Sequence, residues 1–250
     1  MLNLIGVGLS DEKDVTALGM EIMKNSEKVY LDSYTSIWNG KENLENILDM
    51  EIIELGRDDL EQNSSVLIDE SESKDISILV PGDPMVATTH IILIEEARKR
   101  GINTKIIHNA SILSAICETG MHAYKFGATA TVPFLEKTGG ELPMSVYKTL
   151  KLNKSNGLHT LLLLDIADGK GMTAAEAMET LLELERMEKD NVFNHETKVV
   201  VFARAGHDDS IIKYGKVGDL KETEFGKSPM VIIVPGNLHF SEEEYLLTLK

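Results

Sequence analysis

An apolar run that ends abruptly in a proline and a glycine limits the fold of this chain more than any other stretch. Ile76-Ser-Ile-Leu-Val80 reads as a buried strand, and Pro81-Gly82-Asp83-Pro84 follows at once. A long helical pattern then runs to Arg100, with Gly101 as its C-cap. Asp83 suits the N-cap of that helix, and Pro84 suits its first position, where an N–H is dispensable. A strand, tight turn and helix start within a few residues make the βα joint of an open α/β sheet. In such sheets small ligands settle at the carboxyl ends of the strands. Gly82 lets a ligand approach the backbone, and Asp83 places a carboxylate beside it. The same residues also serve a plain capping turn.

The rest of the chain repeats the alternation. Strands are expected at 2–7, 28–32, 51–55 and 103–108, with helices at 14–25 and 41–49 and another starting at 109–111. Residues 58–74 are polar and acidic and read as a solvated helix. Alternating strands and helices imply a mainly parallel sheet. Beyond residue 123 the pattern changes. Strands are expected at 124–132, 158–165, 198–203 and 230–234, helices at 144–154 and 173–189, and a turn or short hairpin at 214–223. A boundary near 109–123 gives two α/β domains, residues 1–110 and 111–250.

Several chemistries are excluded. The net charge of −16 opposes binding through nucleic-acid phosphates, which require Lys or Arg at each contact. No apolar run approaches the roughly 20 residues that span a bilayer. The first residues read as a strand, lacking the basic region and cleavage site of a signal peptide. One cysteine, Cys117, rules out an internal disulfide and suits a reducing cytoplasm; it reads as a small core residue.

Familiar motifs fail on inspection. Gly6-Val-Gly8-Leu-Ser-Asp11 has two glycines of a dinucleotide loop, but Asp11 replaces the third. Gly226-Lys227-Ser228 lacks the upstream glycine of a phosphate loop, Lys221 standing there instead. His207-Asp208-Asp209 has no second His or Cys pair at ligand spacing, so no metal is expected. What remains is a set of strand ends built from small residues: Gly6–Leu9, Pro81–Pro84, His108–Ser111, Leu164-Asp165, Ala203–Gly206 and Pro235-Gly236. If the sheets are parallel, many of these meet in one crevice between the domains, suited to a nucleoside-like ligand held by backbone groups.

These residues also carry a family resemblance. The stretch from Leu4 to Thr16 resembles the N-terminal glycine motif of the tetrapyrrole-methylase-like superfamily. Its members are S-adenosylmethionine-dependent methyltransferases of two α/β domains with a cofactor cleft between them. Residues 29–36, 81–90, 107–112, 124–127 and 159–166 are similar to the diphthine synthase family within it. The resemblance implies trimethylation of an aminocarboxypropyl-modified histidine on translation elongation factor 2, a homodimer, and the compact archaeal form of the enzyme. By position it places the cofactor contacts at Leu9, Asp83, Val86, Ser111, Ile112, Leu164, Ala205 and Met230, where the family often has histidine in place of Met230. It assigns no catalytic side chain; Asp165 and the Tyr34 hydroxyl are candidate aids. Rival readings are a methylase acting on a tetrapyrrole, which the motifs at 29–36 and 124–127 oppose, and a non-catalytic cofactor-binding module.

Overall fold

The computed structural model describes residues 1–167 and 169–249. The chain forms two compact units, Met1–Leu113 and Ser114–Lys250. In chain order the first contains β1 (Leu2–Gly6), α1 (Ala17–Lys24), β2 (Lys28–Asp32), α2 (Lys41–Leu48) and β3 (Ile52–Leu55). There follow α3 (Arg57–Glu61), α4 (Ser64–Ser71), β4 (Ile76–Val80), α5 (Ile91–Lys99) and β5 (Thr104–Ile107). All five strands are parallel, in the order β3-β2-β4-β1-β5. β1 and β4 are buried along their whole length, as central strands of a sheet covered on both faces must be. The pleat sends alternate side chains to opposite faces. Leu2, Leu4, Ile76 and Ile78 therefore pack with Leu67, Ile68 and Leu93 from α4 and α5. Ile5, Val29 and Leu79 pack on the other side with Met23 and Leu44 from α1 and α2.

Two expectations for this unit need correction. Residues 58–74 are two helices rather than one solvated one, and Leu67 and Ile68 are buried in the core. The helix after Pro84 starts only at Ile91, with His90 and not Asp83 at its N-cap. Residues 83–90 instead form successive turns, with Ala87 at φ +56°, because the Asp83 carboxylate is engaged across the loop.

The second unit follows α6 (Ile112–Ala115), which crosses the boundary. It comprises β6 (Ala130–Val132), α7 (Met144–Ser155), β7 (Thr160–Leu164), β8 (Ile166–Ala167), β9 (Lys170–Gly171) and α8 (Ala174–Glu188). Next come β10 (Lys198–Ala203), β11 (Ile211–Lys216), α9 (Val217–Leu220), β12 (Met230–Val234) and α10 (Phe240–Leu246). Its main sheet is mixed, in the order β11-β10-β12-β7-β6, with only β6 and β7 parallel. Leu162, Val199, Val201 and Ile232 pack with Met178, Leu181 and Leu182 of α8 and with Tyr147 and Leu150 of α7. No helix among the described residues is long and apolar enough to cross a membrane.

Here too the structure departs from expectation. Residues 211–216 form an edge strand paired antiparallel with β10 and followed by a short helix, where a turn or short hairpin was expected at 214–223. Only residues 130–132 of the expected strand 124–132 pair with β7; residues 123–125 are a single 3₁₀ turn. That turn has another task. Lys125 reaches Asn237 O (2.6 Å) and the Glu242 carboxylate, and its carbonyl accepts from His159 N, tying the turn to α10 and β7. Cys117 is exposed, because the 3₁₀ turn at 116–119 directs Ile116 and Thr119 inward instead.

Candidate functional site

The turns after β1 and β4 meet at two glycines. Gly8 N–H donates to Gly82 O at 3.3 Å, and Gly82 N–H donates to Gly8 O at 2.8 Å. Both residues have positive φ, +80° and +73°, which glycine adopts without penalty. At Gly6 the constraint is space: an added Cβ would stand 2.6 Å from Gly82 O and 2.9 Å from Asn109 Cβ. Asp14 closes the first turn from within. Its Oδ2 accepts from Leu9 N (3.0 Å), Ser10 N (2.7 Å) and Ser10 Oγ (2.9 Å). In a dinucleotide fold such amides face a pyrophosphate. Here an internal carboxylate takes them, so the glycine turn is not built for an anion.

Asp83 anchors the second turn. It is buried, and its three recorded partners are donors: Met85 N to Oδ1 (2.9 Å), Asn109 N to Oδ2 (3.1 Å) and His108 Nδ1 to Oδ2 (2.8 Å). A carboxylate has about four acceptor positions, which leaves one for a ligand hydroxyl or ammonium. Asn109 binds the β1 side as well, donating from Nδ2 to Gly6 O (2.9 Å) and Asp14 O (3.0 Å). Ser111 lies beside Gly82, 3.6 Å from where a Cβ on that glycine would be. Leu9, Asp83 and Ser111 thus gather at the carboxyl ends of β1, β4 and β5. Val86 and Ile112, both half-buried, sit on the same loops.

The other three expected residues share one end of the second sheet. Ala203 pairs with Met230 and Leu163 with Val231, so Leu164 ends β7 where Met230 begins β12. Ala205 lies two residues beyond β10, and Arg204 N donates to Pro229 O at 2.8 Å. All three are buried, and Met230 packs in the apolar core, where no imidazole is needed. Pro235-Gly236 does not join them. β12 runs antiparallel to β7 and β10, which places its carboxyl end at the opposite edge, against Gly157 and Leu158.

The two candidate aids have other partners. Asp165 accepts from Lys137 Nζ (2.8 Å), Ile166 N (2.9 Å) and Phe134 N (2.9 Å), which accounts for its carboxylate as a loop anchor. The Tyr34 ring lies under the Arg57 guanidinium, 5.5 Å from its centroid. The Tyr34 turn is organised by Asp32, fully buried, which accepts from Tyr34 N (2.8 Å) and Thr35 N (3.0 Å) and faces His90 Nε2 at 3.2 Å. Burial pushes the Asp32 carboxyl up, but hydrogen bonds from His90 and Thr35 outweigh it and hold the group below the usual range. His207 and Asp209 both partner Arg204, at 3.0 and 2.6 Å. Asp14, Asp32, His90 and His108 lie inside the motifs at 4–16, 29–36, 81–90 and 107–112, but their tasks rest on contacts between or within loops that no local pattern signals.

Comparison with known proteins identifies the family. Residues 1–221 match the tetrapyrrole (corrin/porphyrin) methylase family. Diphthine synthase of Methanocaldococcus jannaschii is 44% identical over 252 residues, covering 98% of this chain and 97% of that protein. The diphthine synthase of Methanococcus aeolicus is 46% identical over 250 residues, covering 98% and 96%. A crystal structure of a diphthine synthase superposes with a TM-score of 0.90 at 37% identity, covering 99% of this chain and 95% of the other.

Proposed function

The chain belongs to the tetrapyrrole methylase family and, within it, to the diphthine synthases, and from that premise we propose the reaction that it catalyses and its substrate. It is an S-adenosylmethionine-dependent methyltransferase. The substrate is the aminocarboxypropyl-modified histidine of translation elongation factor 2, whose amino group receives three methyl groups to give diphthine. The enzyme acts as a homodimer in the cytoplasm. The observation that carries this reading is identity of 44–46% sustained over 98% of the chain.

The residues present fit the cofactor. Asp83 keeps one acceptor position for a ribose hydroxyl or the methionine ammonium. Leu9, Val86 and Ile112 offer half-buried apolar surface for adenine or the methionine chain, and Ser111 a hydroxyl. In the second unit the same assignment extends to Leu164, Ala205 and Met230. When bound, S-adenosylmethionine supplies a methyl group already activated by its sulfonium. The protein then has chiefly to bind and align, holding amine nitrogen, methyl carbon and sulfur in line. Such positioning contributes up to about 7–11 kcal/mol. The Gly8–Gly82 bridge and the Asp83 bonds supply the rigidity it requires.

The test is mass spectrometry of elongation factor 2 bearing the aminocarboxypropyl histidine, incubated with this protein and S-adenosylmethionine. Three added methyl groups, lost with Asp83→Ala, are expected. No added mass while the cofactor still binds would mean that the substrate is another.

A further inference from the structure

We infer that His108 takes up the proton that the amine must lose before each methyl transfer, with Asp83 holding the ring in the accepting tautomer; the inference rests on the methyltransferase reading above. His108 is the first residue beyond β5, and its side chain is 69% exposed, whereas the Asp83 carboxylate behind it is 7% exposed. Asp83 Oδ2 also receives the Asn109 N–H, and Oδ1 the Met85 N–H, so this carboxylate acts as an acceptor throughout. Nδ1 of His108, 2.8 Å away, therefore carries the hydrogen. In the neutral ring, Nε2 is then left with a lone pair. A buried carboxylate behind an imidazole whose far nitrogen stays open is the arrangement that makes histidine a general base.

Its position distinguishes His108 from other candidates. His90 also faces an aspartate, but ring and carboxylate are both buried, and its Nδ1 is sealed without a partner. His159 is fully buried between Gly236 N–H and Glu242. Asp165 is engaged by Lys137 and two amides. His108 stands at the strand ends that carry Leu9, Asp83 and Ser111. The charged group in contact with it is Asp83, behind the ring, and Asn109 next to it ties the loop to the β1 turn through the Asp14 carbonyl.

The reaction gives such a base repeated work. Converting an alkylammonium to a trimethylammonium forms three N–C bonds and breaks three C–S bonds, each bond pair returning to sulfur. Three protons leave the nitrogen. The amine must be neutral before each transfer, and each of the first two transfers leaves an ammonium that has to lose a proton before the next. Nε2 accepts the proton, and the exposed ring passes it to water.

The variant His108→Asn tests this, since its amide N–H₂ can still donate to Asp83 but offers no basic nitrogen. Calorimetry should show S-adenosylmethionine binding within about two-fold of wild type. At pH 7 the rate should fall about a hundred-fold or more, the range general-base catalysis supplies. Mono- and dimethylated product should accumulate, and the deficit should shrink as pH rises and free amine becomes abundant. Imidazole ¹⁵N NMR of the cofactor-free enzyme should show the His108 hydrogen on Nδ1, and its loss from there in Asp83→Asn. The proposal falls if His108→Asn keeps the wild-type pH profile and product distribution, or if NMR places the hydrogen on Nε2. It also falls if the variant's defect lies in cofactor affinity and vanishes at saturating cofactor, which would make His108 an anchor of the loop. A wild-type enzyme that adds no methyl group to the substrate overturns the methyltransferase assignment itself, and this inference with it.

Discussion

Glu242 on α10 is fully buried and takes four donors. They are His122 N (2.8 Å), His239 N (2.7 Å), His159 Nε2 (3.1 Å) and the Lys125 ammonium. Burial alone would raise its carboxyl, but these donors outweigh it and bring the group down to about 2, from 4.5 for an ordinary glutamate. A carboxyl whose folded pKa lies below its unfolded value stabilises the fold above the unfolded value. That stability is lost as pH falls through the folded one. The interval between the two corresponds to about 3 kcal/mol at pH 7. His159 adds no charge there, because burial holds its ring below the ordinary imidazole range. Glu242→Gln keeps the size of the side chain, removes its charge and replaces one acceptor oxygen with a donor. Urea unfolding followed by circular dichroism should find the variant about 3 kcal/mol less stable at pH 7. The deficit should narrow as pH drops below about 4.5, because the wild type then loses what the variant never had. A deficit that stays constant from neutral to acid pH would refute the reasoning, since shape and not charge would then be the cause. So would one below about 1 kcal/mol, the net worth of an ordinary hydrogen bond.

Four further outcomes follow from the site and the fold around it. Gly6→Ala puts a Cβ 2.6 Å from the Gly82 carbonyl, so it should cost about 2 kcal/mol in thermal unfolding and weaken cofactor binding by calorimetry. Gly101→Ala, at φ +72° with nothing within 4 Å, should cost about 1 kcal/mol and leave binding unchanged. Asp14→Ala strips the partner from Leu9 N and Ser10 N and should lower stability by about 2 kcal/mol, read as a fall in Tm. Asp32→Asn should destabilise the fold at pH 7 in urea titrations. Because its carboxyl is held below the usual range, the wild-type advantage should fade as the medium turns acid.

The first unit is legible in the sequence because its strands β1 and β4 are short apolar runs buried along their whole length, the first ending in glycine and the second followed by proline. Where one face is half-solvated the signal thins. Ile211–Lys216 is half-buried along most of its length, so its first residues carry no strand signal and its last read as part of a turn or short hairpin, although it pairs with β10 over six residues. The α4 core contact rests on Leu67 and Ile68 within an acidic stretch, too few apolar residues to announce a buried face. Strand direction is not written in composition at all. Met230–Val234 would look the same running either way, so Pro235-Gly236 was expected at the ligand end and lies at the other. Asp83 is legible as a turn residue, but its bonds to His108 and Asn109 join positions 25 and 26 residues apart, a distance at which no local pattern carries information.

The strand order of the first unit has a consequence for the chain as it is made. β1 is made before the other strands of its unit, yet its strand neighbours are β4 and β5, whose first residues lie 74 and 102 positions after Leu2. Until residues 76–80 have been synthesised, this strand, buried along its whole length in the fold, has no edge to join. β2 can pair with β3 long before that, leaving the central place open. At about 5–20 residues per second, Leu2–Gly6 stays unpaired for several seconds on every nascent chain. A ribosome stalled after residue 60 and before residue 75 would therefore present an apolar segment with no strand to cover it, which is the state that chaperones recognise.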